Sequence, residues 1–284
     1  MPDGFGHAVV CSEEDRLAAV VPQSKSAALL LVAKHAVYIG PQILLHGRLH
    51  MGAPIGKGDC EFATSVGLRI ESVISYCLAK GPPGIPFRGE GEAGERSPVG
   101  ARWVLDPIDG AVNFAKDSRL CTISLGLVLG GQPVSGIVKF LGECFIASQE
   151  PGAFLNRTMI AVSEVESLRE AGVRQADFSA GAGAEQENRV QLAVLARLAR
   201  ECLGVCMFDL ARFDLAWLAA GRPNATVTFS NLLWYVTAAL LVVREAGRLV
   251  YDYDGPRHDQ RSCCTIASVP SLAEPVCRIV GGAM

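Results

Sequence analysis

The sequence predicts an α/β fold of alternating layers, αβαβα. Three features carry the prediction: two helical segments near the start, alternating strands around a glycine pair, and a second half in which helical periods alternate with short strands. Residues 24–39 place apolar side chains at Ala28, Leu31, Val32, Ala36 and Ile39, the period of a helix, and Gly40-Pro41 is expected to stop it. The pattern repeats over 62–79 through Val66, Ile70, Val73, Ile74 and Leu78, ending at Gly81-Pro82-Pro83. From Ala101 the period changes. Trp103-Val104-Leu105 reads as a short strand that gives way to the charged turn Asp106-Pro107-Ile108-Asp109-Gly110. Residues 121–129 and 132–140 alternate around Gly130-Gly131, a pair suited to the positive φ of a tight hairpin, and 145–148 adds a strand. In the second half, 187–203, 213–220 and 235–246 are helical, the last two closed by Gly221 and Gly247. Residues 249–251 and 265–268 are short strands. The chain reads as one unit over 1–284 with two subdomains, 24–155 and 156–284.

Hydrophobic residues make up 50% of the 284 and charged ones 19%, which excludes a charged disordered polymer. A net charge of −3 without a basic run gives no pull toward nucleic acid or anionic lipid. The most apolar runs, 27–32 and 232–243, fall short of the about 20 residues that span a bilayer, so no membrane span is expected. The first residues are acidic where a signal peptide is basic, and a cytoplasmic location is expected. The 10 cysteines are scattered through apolar segments and read as reduced, buried thiols. Neither Cys202 with Cys206 nor Cys263-Cys264 has the paired spacing of a zinc site. His46 and His50, one turn apart, can share a helix face, but Gly47 and the lack of a nearby acid favour surface histidines.

Chemistry concentrates in Asp-Pro-Ile-Asp-Gly. Pro107 fixes φ, Gly110 permits a tight bend, and Asp106 and Asp109 can reach one hard cation, with Glu90 as a third oxygen donor and a turn carbonyl as a fourth. Oxygen-only ligands suit Mg²⁺ shared with a substrate phosphate, and a helix beginning after Gly110 would point its N–H groups at that phosphate. Read alone, the turn also fits any exposed bend.

Residues 103–110 followed by Asn113-Phe114, with Gly89-Glu90 upstream, resemble the inositol monophosphatase family. Phe62-Ala63-Thr64, Glu71, Gly152-Ala153-Phe154, Leu218-Ala219-Ala220-Gly221, Trp234, Ala238-Ala239 and Glu245-Ala246-Gly247 extend the likeness over 25–280. The resemblance implies a layered αβαβα inositol-monophosphatase-like fold, often dimeric, that hydrolyses small phosphomonoesters with Mg²⁺. It implies a first metal site at Glu90, Asp106, the Ile108 carbonyl and Asp109; phosphate contacts are expected at Gly110 and Ala111, and Tyr235 either packs beside Trp234 or lines the pocket in contact with substrate. Against the family pattern, Tyr235 stands for the second-site aspartate, Gly67 and Ala111 for the pair that activates water, Gly91 for a glutamate and Asn224 for an aspartate. Arg212, Asp209 and Asp214 stand where small or neutral residues are usual, implying a local ion pair or a rebuilt pocket. Lys116 and Asp117 read as solvated charges within reach of a substrate.

The expectation is a Mg²⁺-dependent protein with fewer ions than the family norm. It acts on a small phosphorylated or diphosphorylated metabolite by elimination, cyclisation or rearrangement. The alternatives are residual phosphomonoester hydrolysis and a non-catalytic ligand-binding or partner-binding protein.

Overall fold

The computed structural model describes residues 23–48, 55–56, 62–63, 65–81, 85–89, 100–149, 152–160, 164–179, 181, 183–229, 233–255, 258, 262 and 264–284. Helices α1 (Gln23–Arg48) and α2 (Ser65–Ala79) bury one face each, Leu29, Ala33, Ala36 and Val37 from α1 and Val66, Ile70, Ile74 and Leu78 from α2. Strands β1 (Ile55–Gly56) and β2 (Phe62–Ala63) form a small antiparallel pair. A seven-stranded sheet follows in chain order: β3 (Phe87–Arg88), β4 (Ala101–Asp109), β5 (Thr122–Leu129), β6 (Gln132–Phe140), β7 (Glu143–Ser148), β8 (Gly152–Leu155) and β9 (Thr158–Met159). Only β3 and β4 pair in parallel; the rest is an antiparallel meander.

Alternation along β5 explains the layering. Ile123, Leu125 and Leu127 point into the cluster formed with α1 and α2, while Gly126 on the opposite face lies against Thr237 and Ala238. The second face is covered by α5 (Ala211–Ala219) and α6 (Leu233–Glu245), whose Leu215, Leu218, Ala239, Leu240 and Val243 join Val138, Phe145 and Ala147 in a second cluster. A five-stranded sheet lies beyond: β10 (Gly172–Gln175), β11 (Gly204–Cys206), β12 (Ala225–Thr228), β13 (Leu249–Tyr251) and β14 (Thr265–Ser268), ordered β11-β10-β12-β14-β13. Its outer face carries α4 (Ala184–Glu201) and α7 (Ala273–Gly281) over a third cluster containing Val173, Val194, Leu198, Ile266, Val276 and Ile279. These clusters make up the five layers αβαβα, with α3 (Ala111–Ala115) a single short helix after β4.

Several elements depart from the sequence expectation. Helix α1 runs through Gly40-Pro41 to Arg48. Pro41 removes one helical hydrogen bond, but a Cβ at residue 40 would collide with Ile123 of β5, so the glycine lets this turn lie directly on the sheet and tertiary packing carries the helix onward. Residues 62–63 are strand, and α2 begins at Ser65. Strand β4 does not stop at Leu105: it continues to Asp109 through a register irregularity between Asp106 and Asp109. Gly152-Ala153-Phe154 lies in β8, and β10, β11, β12 and α7 were not foreseen. No disulfide joins the described cysteines, and Cys263 and His50 lie outside the described residues. His46, on α1, has Nδ1 2.7 Å from the Gln42 carbonyl oxygen.

Within α1, Leu29–Gly47 is long and apolar enough to cross a bilayer by length and composition, the only such helix among the described residues. Counting uninterrupted apolar runs missed it. One face, with Leu29, Ala33, Ala36 and Val37, packs on β5 and β6 in the first cluster, while Leu31, Tyr38 and Leu45 on the other are exposed and only 28% of the stretch is buried.

The contact of α6 with the sheet requires glycine. A Cβ at Gly136 on β6 would stand 2.6 Å from the Ala238 carbonyl oxygen and 2.8 Å from its Cα, a clash with backbone that rotamer changes cannot relieve. Gly136→Ala is expected to destabilise the protein by about 3 kcal/mol through forced separation of the helix from the sheet. A denaturant midpoint equal to wild type would refute this close approach.

Candidate active site at the end of β4

The pocket is built from three chain segments. The first is the end of β4. Asp106 Oδ1 accepts the Ile108 amide at 3.0 Å, an Asx-type turn that supports the bulge and lets both carboxylates lie on one side of the strand end. Both are buried, Asp106 being 3% exposed and Asp109 5%.

The second is the junction into α3. Gly110 has φ of +84°, and a Cβ there would collide with Leu210 and stand 2.8 Å from the Leu120 carbonyl oxygen. The Asn113 side-chain amide donates to the Phe208 carbonyl at 2.7 Å, tying α3 to the loop before α5. Helix α3 begins at Ala111, directly after Gly110, and the Phe114 amide closes its first turn onto the Gly110 carbonyl. Lys116 and Asp117 are exposed.

The third is the start of α5. Phe213 lies 4.1 Å from Trp217 and 4.3 Å from Phe140, measured between ring centroids, which fixes the helix against β6. The Trp217 indole donates to Glu143 at 3.0 Å, and Arg222 pairs with the same carboxylate, holding its pKa below the ordinary value. This anchoring aims Arg212 at the end of β4. The Arg212 amide donates to Asp109 Oδ2 at 3.0 Å, so Asp109 caps an otherwise open helix N-terminus from another element. The guanidinium places Nε 2.9 Å from Asp106 Oδ2 and Nη1 2.7 Å from Asp109 Oδ1. Thr122 donates to Asp109 Oδ2 at 3.2 Å.

Of the three unusual charges in this stretch, only Arg212 meets the β4 aspartates through the contacts described above. Asp214 faces Arg174 of β10 at 3.5 Å, a distance at which neither the Asp214 Oδ1 nor the Arg174 Nε makes a hydrogen bond. Burial raises Asp214 to about 8, with Asp109 and Asp177 adding to the rise and Arg174 opposing it. The Arg174 guanidinium lies 4.4 Å from the Phe208 ring. Asp209 is exposed, on a left-handed backbone with φ of +56°.

Asp106, Ile108, Asp109, Gly110 and Ala111 thus stand together. Gly67 is buried near the start of α2, a helix that packs on β4, and Tyr235 stands in the first turn of α6. Glu90 and Gly91 lie outside the described residues. A Cβ at neighbouring Gly89 would collide with the Glu71 carboxylate of α2, which brings a further acid beside that strand end. Asn224 is not in this group: its side chain accepts the Gly172 amide at 3.0 Å within the second sheet. The guanidinium clasp decides between the two alternatives left open for Arg212 in favour of an ion pair with the β4 aspartates.

A divalent cation needs carboxylate oxygens turned toward an open coordination sphere. Here each of the four oxygens of Asp106 and Asp109 accepts a hydrogen bond, and three of the four accept one from Arg212. With the guanidinium in that place, the residues do not fit a Mg²⁺ ion. Among the described residues, no three His, Cys, Asp or Glu side chains converge as metal ligands.

The inositol monophosphatase family model matches residues 29–281. Inositol-1-monophosphatase ImpA of Mycolicibacterium smegmatis is 32% identical over 228 residues, covering 80% of this chain and 82% of the relative. Nus factor SuhB of Xylella fastidiosa is 29% identical over 89% of this chain and 94% of its own. Among solved structures, the extragenic suppressor protein SuhB of Bartonella henselae superposes with a TM-score of 0.82 at 26% identity, covering 90% of this chain and all of that one (100%). Thermotoga maritima IMPase gives 0.80 at 24% identity over 88% and 95%. The five layers are those of these solved structures, and the chain belongs to the inositol monophosphatase family.

Proposed function

We propose that this protein binds a small phosphorylated or diphosphorylated metabolite at the pocket between β4, α3 and α5, and that it does not hydrolyse it through an activated water. Members of the family are generally Mg²⁺-dependent and act on small phosphorylated metabolites. Support for binding comes from family membership and the retained β4 end. Support for altered chemistry comes from one observation above all, the engagement of both β4 aspartates by Arg212. Gly67 and Ala111 have no group that accepts a proton, and Asp109 is committed to Arg212 and Thr122. A reaction in which phosphate serves as handle or leaving group, as in elimination, cyclisation or rearrangement, needs no such base for water.

The same clasp also favours a second, non-catalytic reading. One guanidinium offsets only one of two carboxylates, so a phosphate dianion meets residual negative charge.

Phosphate release and ligand-induced melting shifts are to be measured together for sugar, inositol and nucleotide monophosphates. A melting shift with at least one class is expected, with release at least about 100-fold below that of a hydrolytic relative assayed alongside. Release at the relative's rate would restore the phosphatase reading. No shift with any ligand would overturn the binding claim and leave the non-catalytic one.

A further inference from the structure

Two buried carboxylates at one strand end repel each other and need a cation between them. Here a side chain occupies that position. Arginine stays protonated at all relevant pH, and its planar fork spans two carboxylates with directed N–H bonds. Its tether is short: the Arg212 amide and its guanidinium grip the same aspartate, so the side chain leaves a backbone atom already fixed beside its target. The clasp is shielded, with the Arg212 side chain 15% exposed over aspartate side chains of 3% and 5%. Arg174, the other cation nearby, faces Asp214 and Phe208.

We propose that Arg212 is the resident cation of this pocket, holding Asp106 and Asp109 where a divalent ion would otherwise lie, so that the pair takes Mg²⁺ only when this side chain is removed. A metal ion entering at these oxygens must break both guanidinium contacts and leave a displaced positive charge beside its own. It must also shed water, which Mg²⁺ does reluctantly. The Asp106 and Asp109 carboxylates then serve to orient Arg212, and the charge that offsets one of them is fixed in the sequence rather than drawn from solution. This inference is independent of the ligand reading, because it concerns Mg²⁺ and the free protein alone.

The test is calorimetric titration of Mg²⁺ into the full chain after chelator treatment, paired with melting curves across the same Mg²⁺ range and no phosphate present. Wild type is expected to show no saturable binding up to about 10 mM and no melting shift. Arg212→Ala, which opens the space, and Arg212→Gln, which keeps a neutral donor for the carboxylates, are expected to bind at least about 100-fold more tightly and to melt higher with Mg²⁺. Adding Asp106→Asn to Arg212→Ala should abolish the gain, placing it at this pair. Saturable wild-type binding as tight as that of the variants would overturn the proposal. So would cooperatively melting Arg212 variants that bind no better than wild type. The wild-type titration is decisive even if a variant fails to fold: tight binding there refutes the inference.

Discussion

Changing Gly67→Asp, Ala111→Thr, Arg212→Ala and Tyr235→Asp together is expected to raise phosphate release from small monoesters by roughly 10²–10⁴-fold over wild type, the range that general-base assistance supplies. The Asp and Thr replacements supply an acceptor on α2 and a hydroxyl at the first residue of α3. Tyr235→Asp places a carboxylate in the first turn of α6. None of these acts on the Asp106–Asp109 pair, of which Asp106 Oδ2 and Asp109 Oδ1 stay engaged by the guanidinium until position 212 becomes small. The three changes without Arg212→Ala are therefore expected to stay at the wild-type rate. Initial-rate phosphate assays with added Mg²⁺ distinguish the cases. An equal gain in the triple and quadruple variants would mean that the guanidinium withdraws unaided. A folded quadruple variant with no gain would mean that the pocket walls differ beyond these positions.

The unfolding free energy of the wild type is expected to fall as pH rises from 4 to 8, through Asp214. This side chain is 4% exposed and its pKa rises from 3.8 to about 8, chiefly through burial, with Arg174 opposing the rise and Asp109 and Asp177 reinforcing it. The sign follows from proton binding. Between the two values the folded state holds a proton that the unfolded state has released, so stability is full below the unfolded value and is lost progressively as pH climbs through the folded one. The slope is at most about 1.4 kcal/mol per pH unit, and the total is of the order of 4 kcal/mol. The 3.5 Å contact with Arg174 does not reverse this, because it provides no hydrogen bond to compensate the buried charge. Asp214→Asn removes the titration and keeps the shape. Denaturant unfolding of both proteins at pH 5, 7 and 9 isolates the effect, since other titrating groups cancel in the difference. Parallel pH profiles for wild type and variant would refute the raised value.

Much of the architecture was legible in the sequence because it depends on local periodicity. The β5–β6 hairpin lies where Gly130-Gly131 placed it, with φ of +54° and +79° at the two glycines. Strands β13 and β14 match the sequence assignment residue for residue, and α2, α4, α5 and α6 agree within a few positions at their ends. The misplaced elements are those in which a distant partner overrides a local rule. Gly40-Pro41 carries a stop signal, but packing on Ile123 keeps the helix going. Asp-Pro-Ile-Asp carries a turn signal, but pairing with Ser124 and Thr122 holds it in β4 as a bulge. Strands β10, β11 and β12 are three or four residues each, too short for a period to show.

The sequence by itself determined the family, the layer order and the acidic end of β4, because motif spacing and apolar periods are written in consecutive residues. Only the tertiary structure decided what those acids meet. Asp109 and Arg212 are separated by 103 positions, and no local pattern connects them. Their contact exists because Phe213 and Trp217 anchor α5 on β6, Asn113 ties α3 to the α5 loop, and Gly110 lets the two segments approach. A charge brought to its partner by packing cannot be assigned that partner from its own neighbours in the chain.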